Sequence, residues 1–195
     1  MDEDTDDDYQ LNNEAVPPAS FFLKQRKILT NLILMSLVWL AASFGYYLIL
    51  TLVNTFQKVY ISGLTSSFSE AAAYIISGLF YDKIGVKLSL ILSFTVSTVG
   101  GVLILAWGLQ HQSSPMFFFC FLLAKFGITC VFNVCYAANS YFFPTLFAAT
   151  AMGVCNFLAR FFSSFSFVVS QLEEPLPMYL FTFLCGLTAI ASFFL

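Results

Sequence analysis

The sequence predicts an all-α integral membrane protein with six transmembrane helices, and three observations carry that expectation. Hydrophobic residues make up 59% of the 195 residues and charged residues only 10%, with a mean hydropathy of +0.83. A soluble domain carries roughly a quarter charged residues. Twenty-five residues are Phe, more than a water-facing surface accommodates. Finally, the length needed to cross a bilayer core about 30 Å thick, about 20 apolar residues, recurs six times, at approximately 28–53, 58–80, 88–109, 116–138, 147–170 and 176–195.

Taken in order, the chain opens on residues 1–14 with seven acids (Asp2, Glu3, Asp4, Asp6, Asp7, Asp8, Glu14) and no base. With nothing apolar to bury, residues 1–23 are expected to form an acidic, disordered cytoplasmic tail. Its acidity is also not what is expected of a cleaved signal or transit peptide. The six-helix bundle is expected over residues 24–195. Its first span is unambiguous, because no charge occurs between Ile28 and Gln57. Asp82-Lys83-Ile84-Gly85 separates the second and third spans, and Gln110-His111-Gln112-Ser113-Ser114-Pro115 the third and fourth. Pro144-Thr145 parts the fourth from the fifth, and Glu173-Glu174-Pro175 precedes the sixth. Cys120, Cys130, Cys135, Cys155 and Cys185 all lie in apolar runs without metal-ligand spacing, so they read as small hydrophobes between helices. With the N-terminus inside, Lys24, Arg26, Lys27, Lys83 and Lys87 are cytoplasmic and only Lys58 is outside, a bias that places both termini in the cytoplasm.

Three lone charges interrupt the apolar runs: Glu70 on span 2, Lys125 on span 4 and Arg160 on span 5. A charge at mid-bilayer costs about 3 kcal/mol on insertion scales, so such residues face a protein interior or a water-filled path. Spans 3 and 6 carry no charge and are expected at the lipid-facing periphery. Span 1 is partly polar (Asn31, Tyr46, Tyr47, Thr51, Asn54), so spans 1, 2, 4 and 5 form the expected inward set. Gly45, Gly63, Gly78, Gly127 and Gly153 are expected at close helix contacts. An inward charged face points to passage of a solute. The competing reading is structural, with Glu70 paired to Lys125 or Arg160 as glue. In either case one cation is left unmatched, which suits an anionic ligand, a proton-linked switch or a missing partner chain.

The run from Lys125-Phe126-Gly127-Ile128-Thr129 through Phe132 and Asn133 to Phe143-Pro144-Thr145 and Ala151-Met152-Gly153 resembles the pattern KFGITxxFNxxYxYTAELYPTxxRxTAMG. That pattern marks the tenth and eleventh helices in the organic cation/anion branch of the major facilitator superfamily. Phe44-Gly45-Tyr46-Tyr47 resembles the seventh helix of that branch, and Ile61-Ser62-Gly63-Leu64 through Glu70 the eighth. Asp82-Lys83-Ile84-Gly85-Val86-Lys87 is similar to the DRxGRR loop that follows. The resemblance covers roughly residues 21–195. It implies the C-terminal six-helix half of a twelve-helix carrier, with helices seven, eight, ten and eleven lining the cavity.

The resemblance further implies transport of a small organic ion. Its implied substrate-binding set is Glu70, Lys125, Arg160, Tyr46, Tyr47, Phe132 and Asn133, and its conformational-motif set is Asp82, Gly85, Lys87, Pro144 and Thr145. Arg160 keeps a position where anion-carrying members tend to have Arg. Because six helices enclose no two-sided cavity, alternating access is expected to need a homodimer or a separate N-terminal carrier half. The pattern is broken at Tyr141, which stands where the family has Glu, and at Ala148, which stands where it has Arg. The family's ion-pair latch is thus lost from both ends, and Val86 weakens the preceding loop motif. The glycine pair after the family's Arg is replaced as well, by Phe161-Phe162 and Ser163-Ser164. A degenerate carrier half serving as a structural or regulatory subunit, or an incomplete gene product of a twelve-helix carrier, are the other readings. Catalytic, metal and cofactor motifs are absent: His111 has no acid or thiol beside it, and there is no phosphate-cradling glycine loop. Basic clusters suited to nucleic acid are missing too, so the expected partners are membrane lipids and a small organic solute.

Overall fold

A computed structural model describes residues 25–56, 59–107 and 115–195, with side chains described except at 53–65 and Pro115. The expected acidic tail, Lys24, Lys58 and the His111 loop lie outside the described residues, as does the Asn54 side chain. Helices account for nearly everything described, and there is no strand among the described residues. They are α1 (Arg26–Phe56), α2 (Val59–Ile84), α3 (Val86–Ala106), α4 (Pro115–Phe142), α5 (Thr145–Ser163), the short α6 (Ser166–Ser170) and α7 (Leu176–Ala191), which ends in a 3-10 turn at Ser192–Phe194.

Five stretches are long and apolar enough to cross a membrane: Arg26–Leu52, Val86–Ala106, Met116–Phe142, Thr145–Ser170 and Leu176–Phe194. The protein is a multi-pass membrane protein. At 26 residues α2 has the length, roughly 39 Å at 1.5 Å per residue, but it carries Glu70, Asp82 and Lys83 and a polar turn at Ser66, Ser67 and Ser69.

The turns have local causes. Between α2 and α3 a single residue, Gly85, takes φ 79° and ψ 169°, a region open in practice only to glycine. Between α4 and α5, Pro144 fixes its own φ at −56° and its carbonyl accepts the amides of Phe147 and Ala148, both at 2.8 Å. The expected fifth span is not one straight helix. It breaks at Ser164-Phe165, because the Arg160 carbonyl accepts three donors: the hydroxyls of Ser163 (3.1 Å) and Ser164 (3.0 Å) and the Ser164 amide (3.3 Å). Hydroxyls that bond back onto their own helix bend it.

The core gathers around α4, which packs against α1, α2 and α3; α1 also packs on α5, and α3 on α7. Buried along α4 are Phe121, Ala124, Ile128, Val131, Val134 and Ala138. All five cysteines are free and buried. Three of them touch polar atoms of neighbouring helices, Cys155 with Ser36, Cys185 with Ser97 and Cys130 with the Ala73 carbonyl, while Cys135 stays within the apolar core.

Two expectations need correction. First, α3 is no bare periphery: one face, with Ser89, Ser93, Ser97, Gly100 and Gly101, is buried against α4 and α7, while Leu88, Leu92, Val99 and Val102 remain exposed. Of the five membrane-length stretches the least enclosed is instead Thr145–Ser170, which contains α5. Second, Gly45 and Gly127 sit at contacts, but Gly78 and Gly153 have nothing within 4 Å of the place a Cβ would occupy. Gly63 falls among the residues whose side-chain surroundings are not described. The tightest approach of backbone to backbone is between α3 and α4. A Cβ on Gly127 would lie 2.5 Å from the Ser97 amide nitrogen, and one on Gly100 would lie 2.5 Å from that of Ala124.

Gly127→Ala should therefore destabilise by about 1–3 kcal/mol through overpacking, despite the gain in helix propensity, while Gly153→Ala should be neutral or stabilising. Thermal unfolding of the two purified variants in detergent checks this; equal melting temperatures would contradict the packing.

Candidate functional site

Each charged group is carried by a different helix, and two of them, Lys125 and Glu70, meet directly. Lys125 on α4 is buried, with 1% of its side chain accessible, and its Nζ lies 2.8 Å from Glu70 Oε1 on α2. The carboxylate keeps 24% of its side chain accessible. On α1, the Tyr46 hydroxyl donates to the same Oε1 at 3.0 Å. Its ring stacks on Phe132 of α4 at 5.6 Å and 24°, and meets Tyr47 edge-on at 5.5 Å. Phe132 continues into Tyr136 (5.6 Å) and Trp39 (6.0 Å), which closes an aromatic cluster between α1 and α4. Expected site residues Glu70, Lys125, Tyr46 and Phe132 thus form one contact group.

Arg160 stands apart from that pair. It is exposed on α5, its Nη1 donates to the Tyr47 hydroxyl at 2.6 Å, and its Cζ lies 6.0 Å from the Tyr47 ring centre. Among the described residues no carboxylate comes within 4 Å of it, the one ion pair there being Glu70–Lys125. The break between α5 and α6 turns Ser163, Ser164 and Ser166 toward it. Together with Tyr47 and Thr51 they border a pocket of about 470 Å³. The arrangement pairs an unneutralised guanidinium with a rim of hydroxyls, chemistry suited to an oxyanion.

The remaining expected residues take other roles. Asn133 donates to Ser77 of α2 at 2.6 Å, which makes it an α2–α4 tie. Asp82, Gly85 and Lys87 border a second pocket of about 500 Å³ together with Tyr141, so the phenol that replaces the family's Glu lies beside the charged loop. Pro144 and Thr145 begin α5. Across that turn Asn139 Nδ2 donates to the Ala148 carbonyl at 2.8 Å, a tie between α4 and α5 at one of the positions where the latch charges are gone. Sequence reasoning missed Trp39, Tyr136, Ser77, Asn139 and the serines around Arg160. The Ser163-Ser164 pair followed by Ser166 was the available signal for the last group.

No family model matches the chain. Among characterised proteins it is 29% identical over 150 residues to a protein of Caenorhabditis elegans named as a transporter, a match covering 76% of this chain and 30% of that protein. It is 27% identical over 138 residues to solute carrier family 22 member 4 of Mus musculus, covering 70% of this chain and 25% of the relative. It is also 27% identical over 179 residues to the organic cation/carnitine transporter 2 of Mus musculus, covering 88% and 31%.

The chain is homologous to solute carriers. Its carrier homologues are transporters rather than enzymes, in keeping with the sequence reading, and they are all longer: this chain spans less than a third of the length of each. The similarity agrees with the resemblance read from the Lys125–Gly153 pattern.

The ion pair yields an asymmetric expectation. Glu70→Gln strands a buried ammonium and should cost about 3 kcal/mol of stability, whereas Lys125→Met strands a carboxylate that can turn to solvent and should cost less. The double variant should recover most of the loss. Melting temperatures of the three purified proteins test this, and additive losses in the double variant would show that the two charges do not neutralise each other.

Proposed function

We propose that this chain is one half of a carrier for a small organic ion, with Arg160 holding an anionic group of the solute and the Glu70–Lys125–Tyr46 group forming the adjoining wall. The observation that carries this reading is Arg160. A membrane-embedded guanidinium without an acidic partner among the described residues, bordering a pocket of about 470 Å³ with hydroxyls on its rim, favours a ligand over a structural contact. The transporter homologues support passage of a solute, and the name of one of them supports an organic ion. The helix broken next to Arg160 fits as well, since discontinuous helices frame solute sites in many carriers.

In this reading both termini are cytoplasmic. Arg26, Lys27, Lys83 and Lys87 then gather at one membrane face and Glu173 and Glu174 at the other. A second six-helix unit, either another copy of this chain or a separate N-terminal half, closes the open side of α5 and completes a two-sided cavity. Tyr141 and Ala148 favour one other reading. With the ion-pair latch gone and the α4–α5 turn tied by Asn139, the bundle would be a carrier half retained as a subunit of a membrane assembly, and the Glu70–Lys125 pair would be its internal glue.

Arg160→Ala should abolish saturable uptake of an organic anion while leaving the protein in the membrane. Arg160→Lys should retain a small fraction, because an ammonium keeps the charge but loses the planar fork. Uptake in vesicles, normalised to protein present, measures both; unchanged uptake in Arg160→Ala would overturn the assignment and favour the subunit reading.

A further inference from the structure

Glu70 spends one carboxylate oxygen on two donors. Tyr46 Oη and Lys125 Nζ both approach Oε1, at 3.0 Å and 2.8 Å, and among the described residues no hydrogen bond or ion pair reaches Oε2. An ionised carboxylate has about four acceptor positions, so Oε2 has capacity for a third partner while the ion pair stays intact. The Tyr46 hydroxyl owes its position to its ring, which is stacked on Phe132 and held edge-on by Tyr47. Apart from this phenol, Glu70 is held by the ion pair with Lys125. Without the phenol, the carboxylate would be free to rotate and present both oxygens to Lys125.

We propose that Tyr46 is a positioning residue that pins Glu70 through Oε1 and so keeps Oε2 available to the cationic group of a ligand on the open side of the bundle. This rests on the carrier reading and deepens it, giving the site a cation subsite in addition to Arg160. The two subsites are joined by adjacent tyrosines on α1: Tyr46 serves the carboxylate, and Tyr47 accepts from the guanidinium. A change in Tyr46 therefore acts on cation recognition and leaves the anion side unaltered.

The test uses the purified full chain with two probes, tetramethylammonium, which carries fixed charge and no hydrogen-bond donor, and benzoate. Binding is followed by calorimetry and uptake in liposomes. Tyr46→Phe, which retains the stacked ring, should weaken tetramethylammonium binding about tenfold, the loss expected from one charge-assisted hydrogen bond, and benzoate binding far less. Glu70→Gln should remove cation binding, and adding Tyr46→Phe to it should change nothing more. Unchanged cation affinity in Tyr46→Phe, or an equal loss for both probes with a lower melting temperature, would overturn the proposal. A wild-type chain that binds benzoate but not tetramethylammonium would overturn it too, leaving the carrier reading in place. Cation binding that responds to Tyr46→Phe without uptake of either probe would support the positioning role while ruling out transport by copies of this chain alone.

Discussion

A lysine ammonium with 1% of its side chain accessible, inside a bundle made almost wholly of apolar residues, needs an anion within contact distance, and that requirement organises much of this structure. Glu70 meets it at 2.8 Å. The demand ties α2 to α4 at the level of the pair, and the same two helices are joined further along by Asn133 on Ser77 and by Cys130 on the Ala73 carbonyl. Taking two charges out of water is repaid only when geometry and additional hydrogen bonds are favourable, and the Tyr46 hydroxyl supplies one such bond. The α1–α4 aromatic cluster then holds Tyr46 in place, so the pair depends on three helices.

Once Lys125 and Glu70 neutralise each other, Arg160 is the charge that remains. The chain keeps it in a membrane setting without an acidic partner among the described residues, on the least enclosed of the five membrane-length stretches, and bends that helix immediately after it. The bend and the charge share a cause: the Arg160 carbonyl draws in the hydroxyls of Ser163 and Ser164, and this rearrangement carries Ser166 to the pocket that the guanidinium borders. A bundle stabilised only by its internal pair would have no need of this second feature. The loss of charge at Tyr141 and Ala148 concerns the opposite end of α5, where the Asn139 tie now spans the turn.

How much of this was legible in the sequence follows from what each residue can signal. Glu70, Lys125 and Arg160 stood out because charge is rare in apolar runs, and Tyr46, Tyr47 and Phe132 because the motif around them is distinctive. Which cation would take Glu70 was not readable, since pairing between helices depends on their rotation and depth, and sequence spacing within one helix is silent on both. Glycines were a mixed guide. Gly45 and Gly127 meet neighbours, while Gly78 and Gly153 meet none, and the closest contacts include Gly100, which was passed over. The break at Ser164-Phe165 escaped notice because serine is tolerated in helices, and whether its hydroxyl bonds back onto the backbone is decided by local geometry. The serine-rich buried face of α3 has no charge to mark it in the sequence, because α3 joins α4 through small residues.

The claim that the open, Arg160-bearing face belongs to a carrier is tested most directly by the mass and composition of the complex extracted from native membranes, read by native mass spectrometry. The account expects two six-helix units, either two copies of this chain or this chain with another of similar size, so that the face is closed by a matching half. A single copy held in fixed proportion within a larger assembly of unrelated proteins would contradict it, and the charges would then be contacts between subunits.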